Sequence, residues 1–261
     1  MKKILLMMIF LLTIFPAQAH KTIVRIAYED KEQPPYYMQN SVSVPYKNPG
    51  VSVEMILLLE KYIPELDIQL ERMPWKRCTY SLGINAVDGI FNSSYMKERL
   101  EIGQYPTLNY KLDGQVDKSK RLANISYFIY ANKKSDFKWN GNLKSIKDTL
   151  GAPNGYSIVN ELRAVGIPVE EAQTTEINLL KVQKGRLKAV ALQEVTADAI
   201  LKNNKYKYSQ IKKLYPPLVN KEYYLMLSHD FVAKHPNLAQ KIWNNIRIIH
   251  EREYPKLLKK Y

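Results

Sequence analysis

The chain has 261 residues, 46% of them apolar, and carries 39 Lys and Arg against 25 Asp and Glu, a net charge of +14. That balance supports a packed globular protein and excludes a disordered chain, collagen and a coiled coil. A single cysteine, Cys78, closes no internal disulfide and cannot furnish a Cys-rich metal or iron-sulfur site.

Residues 1–19 stand apart. Lys2 and Lys3 precede an apolar run over residues 4–15, broken only by Thr13, and Pro16 and Ala17-Gln18-Ala19 follow. This is the pattern of a secretory signal peptide, with cleavage expected before His20 and export of the mature chain. The run is too short to cross about 30 Å of hydrocarbon as a helix, so the mature chain is expected to be soluble and monomeric. Lysines are scattered, and the densest runs, 118–121 and 256–260, are short. Export and the lack of a groove-reading motif argue against a nucleic-acid partner. A solvated basic surface able to steer an anionic ligand is the better reading.

Residues 23–28 alternate as a strand, and Gln33-Pro34-Pro35-Tyr36-Tyr37 ends it in a rigid loop. Residues 51–62 place Val53, Ile56 and Leu57 at helical spacing, up to Pro64. A strand is expected over 66–70, a short helix over 77–85 and a strand over 87–91. The pattern restarts with a strand over 125–131, a short helix over 143–150, a turn over 151–155 and helices over 157–165 and 176–184. A strand over 187–192 and a helix over 196–201 follow. Tyr215-Pro216-Pro217 is expected to break the chain before a strand over 223–227. From Pro236 a long helix places Leu238, Ile242, Ile246 and Ile249 on one face, which needs a partner. Two α/β units with largely parallel sheets result.

Catalytic signals are weak. His20, His229, His235 and His250 have no metal-ligand spacing and are read as solvated or structural, and no nucleophile elbow or phosphate-cradling loop occurs. Cys78, although beside Lys76 and Arg77, reads as a small packed residue. No metal, cofactor or catalytic residue is expected.

The informative stretch holds Trp75, Leu82, Asn85, Asp88-Gly89, Asn92-Ser93-Ser94, Arg99 and Tyr105-Pro106. It resembles the family 3 extracellular solute-binding proteins, the polar amino-acid receptors of ABC transporters, with Asn85 in the place of a Gly. Further matches follow in order: Pro34-Pro35-Tyr36, Gly50-Val51-Ser52-Val53-Glu54, Gly155-Tyr156-Ser157, and Gly185-Arg186-Leu187-Lys188-Ala189, where Lys188 departs from the family's Asp. The resemblance implies an α/β fold of the two-lobed type II periplasmic-binding-protein kind, its lobes joined by two hinge strands. Lobe 1 would be 20–127 plus 218–261 and lobe 2 would be 128–217, with the last helix returning to lobe 1. An insertion over 112–122 would sit on the cleft rim.

The resemblance also implies a ligand site between the lobes. Arg99 would clamp a carboxylate, its alternative being a surface pair with Glu98 or Glu101. Asn92 and Ser94 would add polar groups at a strand end. Tyr156 and Ser157 would serve the same ligand from the second lobe, with helix N–H groups behind Ser157, unless Ser157 is a plain N-cap. Tyr36, Tyr37 and Trp75 would wall the cleft, core packing being their alternative. Relatives that bind amino acids hold the ammonium with an Asp where this chain has Gln193, followed by Glu194, and a neutral amide cannot compensate an ammonium. The leading reading is a receptor that captures a small polar or anionic, amino-acid-like solute for an ABC permease. A sensor-only receptor facing a membrane protein is one alternative. A periplasmic dehydratase on the same fold is the other, with Glu194 or Glu29 as general acid or base.

Overall fold

The protein is described over residues 21–261 of a computed structural model, so the leader expected over 1–19 and the cleavage point before His20 lie outside the described residues. β1 (Thr22–Glu29) begins with Val24 inward and Ile23 and Arg25 outward, then is buried continuously from Ile26 to Glu29. Burial on both faces marks a covered central strand. Parallel partners flank it: β2 (Leu66–Met73), with Thr22 opposite Leu66, and β3 (Gly89–Ser94), with Ile26 opposite Gly89. Between β1 and β2, α1 (Val51–Leu57) and α2 (Leu59–Tyr62) replace the single helix expected. Their buried stripe is Val51, Val53, Met55, Ile56 and Leu59, while Leu57 turns outward, 37% exposed. At Gly50 φ is +116°, and a Cβ would stand 2.4 Å from the Tyr36 carbonyl oxygen, so only glycine lets α1 start against the 36–37 loop.

α3 (Trp75–Gly83) buries Trp75, Cys78 and Leu82, one face at spacings of three and four. Burial pushes the Cys78 thiol up, which suits the packed, inert reading of that residue. β4 (Ala123–Asn132) is long, and after it the chain departs from expectation. Over residues 143–150 only a 3-10 turn, Leu143–Ser145, forms, because Leu150 already starts β5 (Leu150–Pro153), which takes part of the expected turn. α4 (Ser157–Ala164) follows, then β6 (Val169–Ala172), an unforeseen edge strand that buries only Ala172. α5 (Thr175–Gln183), β7 (Ala189–Gln193) and α6 (Glu194–Asn203) lie close to their expected places.

β8 (Ile211–Leu227) runs unbroken through Tyr215-Pro216-Pro217. The expected break is instead a bulge: β4 and β8 pair with Tyr127 opposite Val219 and then Ile129 opposite Leu214, so the prolines fall in the register shift, where no ladder N–H is needed. The described strands run in the order β2-β1-β3-β8-β4-β7-β5-β6, placing the antiparallel β8 and β4 at the middle of the sheet.

After α7 (His229–Lys234), α8 (Pro236–Arg252) buries Ala239, Ile242, Trp243, Ile246 and Ile249, and the Trp243 indole N–H donates to the Leu225 carbonyl at 3.0 Å. This is the partner its apolar face requires. The 112–122 insertion also borders α8: the preceding Tyr110 hydroxyl donates to Asn244 at 3.2 Å, and Lys120, buried, pairs with Asp117 at 3.3 Å. In α9 (Tyr254–Lys260) and just beyond it, Lys260 pairs with Glu54 at 2.6 Å, and the Tyr261 hydroxyl accepts from the Gly50 N–H at 2.9 Å while donating to Glu54. No described helix is long and apolar enough to cross a membrane.

Candidate functional site

β3 carries the chain into the site. Its register against β8 shifts between Ile90 and Ser93, and Asn92 takes φ +56°, a left-handed conformation that asparagine tolerates better than most side chains. The strand ends at Ser94, and the 3-10 turn Lys97–Glu101 brings Arg99 back over it. Arg99 is 8% exposed. Its Nη1 donates to the Ser94 carbonyl at 2.9 Å and to Ser93 Oγ at 3.2 Å, its Nη2 reaches the Gly155 carbonyl at 3.4 Å, and the guanidinium lies 5.3 Å from the Trp75 ring centroid. Among the described residues none of its partners is a carboxylate. The surface pair with Glu98 or Glu101 does not form, and a desolvated cation is left without a counter-ion.

A small cavity opens beside it. Arg99, Asn92, Ser94, Trp75, Tyr156, Ser157 and Gln193 all line it, from β3 and the 3-10 turn after it, α3, the start of α4 and the end of β7. Both amide atoms of Asn92 are buried with no partner among the described residues, so its side chain is available to something in the cavity. Ser94 Oγ and Ser157 Oγ meet at 2.7 Å.

Glu29, at the end of β1, lines the same cavity and is the acid there. Its Oε2 accepts from Gln33 Nε2 at 3.0 Å, from the Tyr37 hydroxyl at 3.2 Å and from the Tyr156 hydroxyl at 2.6 Å. Burial pushes its carboxyl up to about 7, and the tyrosine hydrogen bonds only partly oppose that rise.

Two expected residues fall elsewhere. Tyr36 packs in the core and its hydroxyl donates to the Asn124 carbonyl at 3.2 Å, leaving Tyr37 as the tyrosine of that loop on the cavity wall. Glu194, the first residue of α6, turns away and pairs with Lys213 at 2.6 Å. Gln193 stays inside, where its Nε2 donates to the hydroxyls of Tyr127 at 3.2 Å and Tyr223 at 3.0 Å, which themselves meet at 2.9 Å. His229 Nε2 is 3.0 Å from the Leu100 carbonyl, a structural contact. Among the described residues no group of three or more His, Cys, Asp or Glu side chains is arranged to hold a metal ion.

No family model and no curated protein sequence matches the chain. Solved structures do. A chain solved for glutathione import via GshT and the cystine ABC importer TcyBC of Streptococcus mutans superposes with a TM-score of 0.72 at 17% identity, covering 92% of this chain and 95% of that one. The arginine-, lysine-, histidine-binding protein ArtJ from Geobacillus stearothermophilus gives 0.68 at 19% identity, with coverages of 92% and 95%. A histidine kinase sensor domain with similarity to periplasmic binding proteins gives 0.70 at 14% identity, with coverages of 93% and 96%. The fold is the two-lobed type II fold of periplasmic binding proteins.

In a type II fold the cavity draws on strand and helix ends from distant parts of the chain, which is why its membership is hard to foresee. Sequence reasoning missed Gln33 and Tyr223, both on the cavity wall, and gave Glu29 only a catalytic part. A signal for Tyr223 existed. Side chains two apart share a strand face, and Tyr223, Leu225 and Leu227 of β8 form one buried row that extends back to Lys221.

Proposed function

We propose that the protein is a receptor that captures a small zwitterionic, amino-acid-like solute between its lobes. One observation carries this reading: Arg99, a buried cation with no counter-ion among the described residues, shares a cavity with Glu29, a buried acid with no cation bonded to it among them. Each charge is costly alone, and a ligand bearing the opposite pair offsets both. Arg99 takes the carboxylate, with Ser94 and Ser157 beside it, and Glu29 takes the cationic group. The ammonium acceptor lost at Gln193 is thereby supplied from the other end of the chain. The lobes are 20–127 plus 218–261 and 128–217, meeting within β4 and β8, and the central position of those two strands in the sheet supports that division. The protein acts as a periplasmic monomer and delivers its solute to an ABC permease. The same capture step serves presentation to a membrane sensor, and uptake of labelled solute by cells with and without the protein separates the two.

Thermal-shift screening of amino acids, polyamines and organic acids on the mature protein tests the reading. A ligand at about 100 times its dissociation constant adds about 2.7 kcal/mol of stability. Scattering with the confirmed ligand should show a smaller radius of gyration, as closure of two lobes requires. Stabilisation by organic acids alone removes Glu29 from the site. Turnover of prephenate-like compounds would instead favour the dehydratase reading.

A further inference from the structure

Lys221 is a buried lysine on β8 that the capture reading does not use. The residue is 8% exposed, and its ammonium lies 5.6 Å from the Tyr127 ring centroid. Its Nζ donates to Ser157 Oγ at 2.6 Å and to the carboxylate of Glu161, one turn into α4. Glu161 is largely solvated, its side chain 44% exposed against 9% for Lys221. Water therefore screens the acid from outside, while the ammonium faces the buried serines with little screening.

The direction of the hydrogen bonds follows from chemistry. An ammonium has three donors and no acceptor. Ser157 Oγ must accept from it, and the Ser157 hydrogen cannot turn back toward Lys221. One hydroxyl hydrogen lies between Ser94 and Ser157, 2.7 Å apart, so the other turns to the cavity that both residues line or to the Tyr223 hydroxyl on the same wall. Arg99, also a donor only, stands at the same end.

We propose that Lys221 is a positioning residue that turns the Ser94–Ser157 pair into a donor wall, so that the cavity selects an ionised carboxylate over the matching carboxamide. The inference rests on the zwitterion reading and names what discriminates at its anionic end. A carboxylate accepts from every side, whereas a carboxamide turns an NH2 toward groups that are themselves donors.

The competing role is a strut, in which Lys221 and Glu161 merely tie β8 to α4. The two roles differ in sign. Lys221→Met breaks a strut and Glu161→Gln, a neutral acceptor, weakens it, but the first removes the positive charge near the cavity and the second releases it from its counter-ion. Calorimetry with the twenty L-amino acids identifies the tightest binder of the wild type, and that compound and its α-carboxamide are then measured on all three proteins. At an effective dielectric constant of about 20 a buried charge a few ångströms away is worth at least about tenfold in affinity. Lys221→Met should lower the acid-to-amide affinity ratio by about that factor, and Glu161→Gln should raise it. An unchanged ratio in Lys221→Met, or a ratio in Glu161→Gln that stays level or falls, overturns the inference and leaves the zwitterion reading standing. Should Lys221→Met not fold, Glu161→Gln decides alone. If no L-amino acid binds the wild type, the zwitterion reading fails and the inference fails with it.

Discussion

The Tyr156 hydroxyl stands 2.6 Å from Glu29 Oε2, although 127 residues separate them. The bond joins the residue that caps α4 to the last residue of β1, so the acid of the cavity is held from two distant parts of the chain. Burial, not a neighbouring charge, is the main reason its carboxyl keeps a proton up to about 7.

A stability slope follows from that proton. The folded protein holds it over a window, from 4.5 to about 7, in which the unfolded chain has released it. Stability from this group therefore falls as pH rises through that window and levels off above it. A shift of this size corresponds to roughly 3 kcal/mol. Glu29→Gln should flatten the slope, so the variant gains on the wild type between pH 5 and pH 8 in denaturant melts. A cationic ligand should also expel the proton, and calorimetry at pH 6.5 in buffers of different ionisation enthalpy would detect its release.

Arg99→Ala should cost about 2–5 kcal/mol of ligand binding, because removing one partner of a desolvated charge pair strands the other. Arg99→Lys should recover little, since a point charge does not reproduce the planar fork that also contacts the Ser94 and Gly155 carbonyls. Wild-type affinity in Arg99→Ala, read by calorimetry, would take Arg99 out of the site.

Asn92 separates conformation from contact. Asn92→Gly keeps φ at +56° accessible and deletes the unpartnered amide, so thermal stability should hold while binding weakens by about 1 kcal/mol per lost hydrogen bond. Asn92→Ala should add about 1–2 kcal/mol of backbone strain. Equal affinity of the Gly variant and the wild type would mean that the amide contacts no ligand.

Gln193 binds two hydroxyls from the two long central strands. Gln193→Leu should destabilise the fold by about 1–3 kcal/mol, the usual cost of stranding buried polar partners. Gln193→Asp should shift relative affinity toward amine-bearing solutes, read by calorimetry on amino acids against organic acids, while denaturant melts read the stability of the Leu variant. A Leu variant as stable as the wild type would show that the two tyrosines satisfy one another.

Most strands and helices were legible because each buries one periodic face, as α3 does with Trp75, Cys78 and Leu82. Spacing misled where it imitated a helix without being one: Leu143, Ile146 and Leu150 fit a helical stripe, yet Leu150 enters a strand. The edge strand β6, Val-Glu-Glu-Ala, has almost no apolar signal because only Ala172 is buried. At the cavity the discriminating steps were single residues. Gln193 ends a buried strand and faces in, whereas Glu194 starts a helix and swings out to Lys213. Glu29 gave no motif at all, since its part depends on Tyr37 and Tyr156 arriving by tertiary contact.

The side chain of Tyr261 has a reach out of proportion to its position. It grips Gly50, whose backbone fits so closely under Tyr36 and Tyr37 that no Cβ is admitted, and Tyr37 is part of the cavity wall. Loss of that side chain's hydroxyl, as in Tyr261→Phe, thus loosens the binding chamber through one glycine. Affinities measured on such a variant would describe the fastening as much as the ligand.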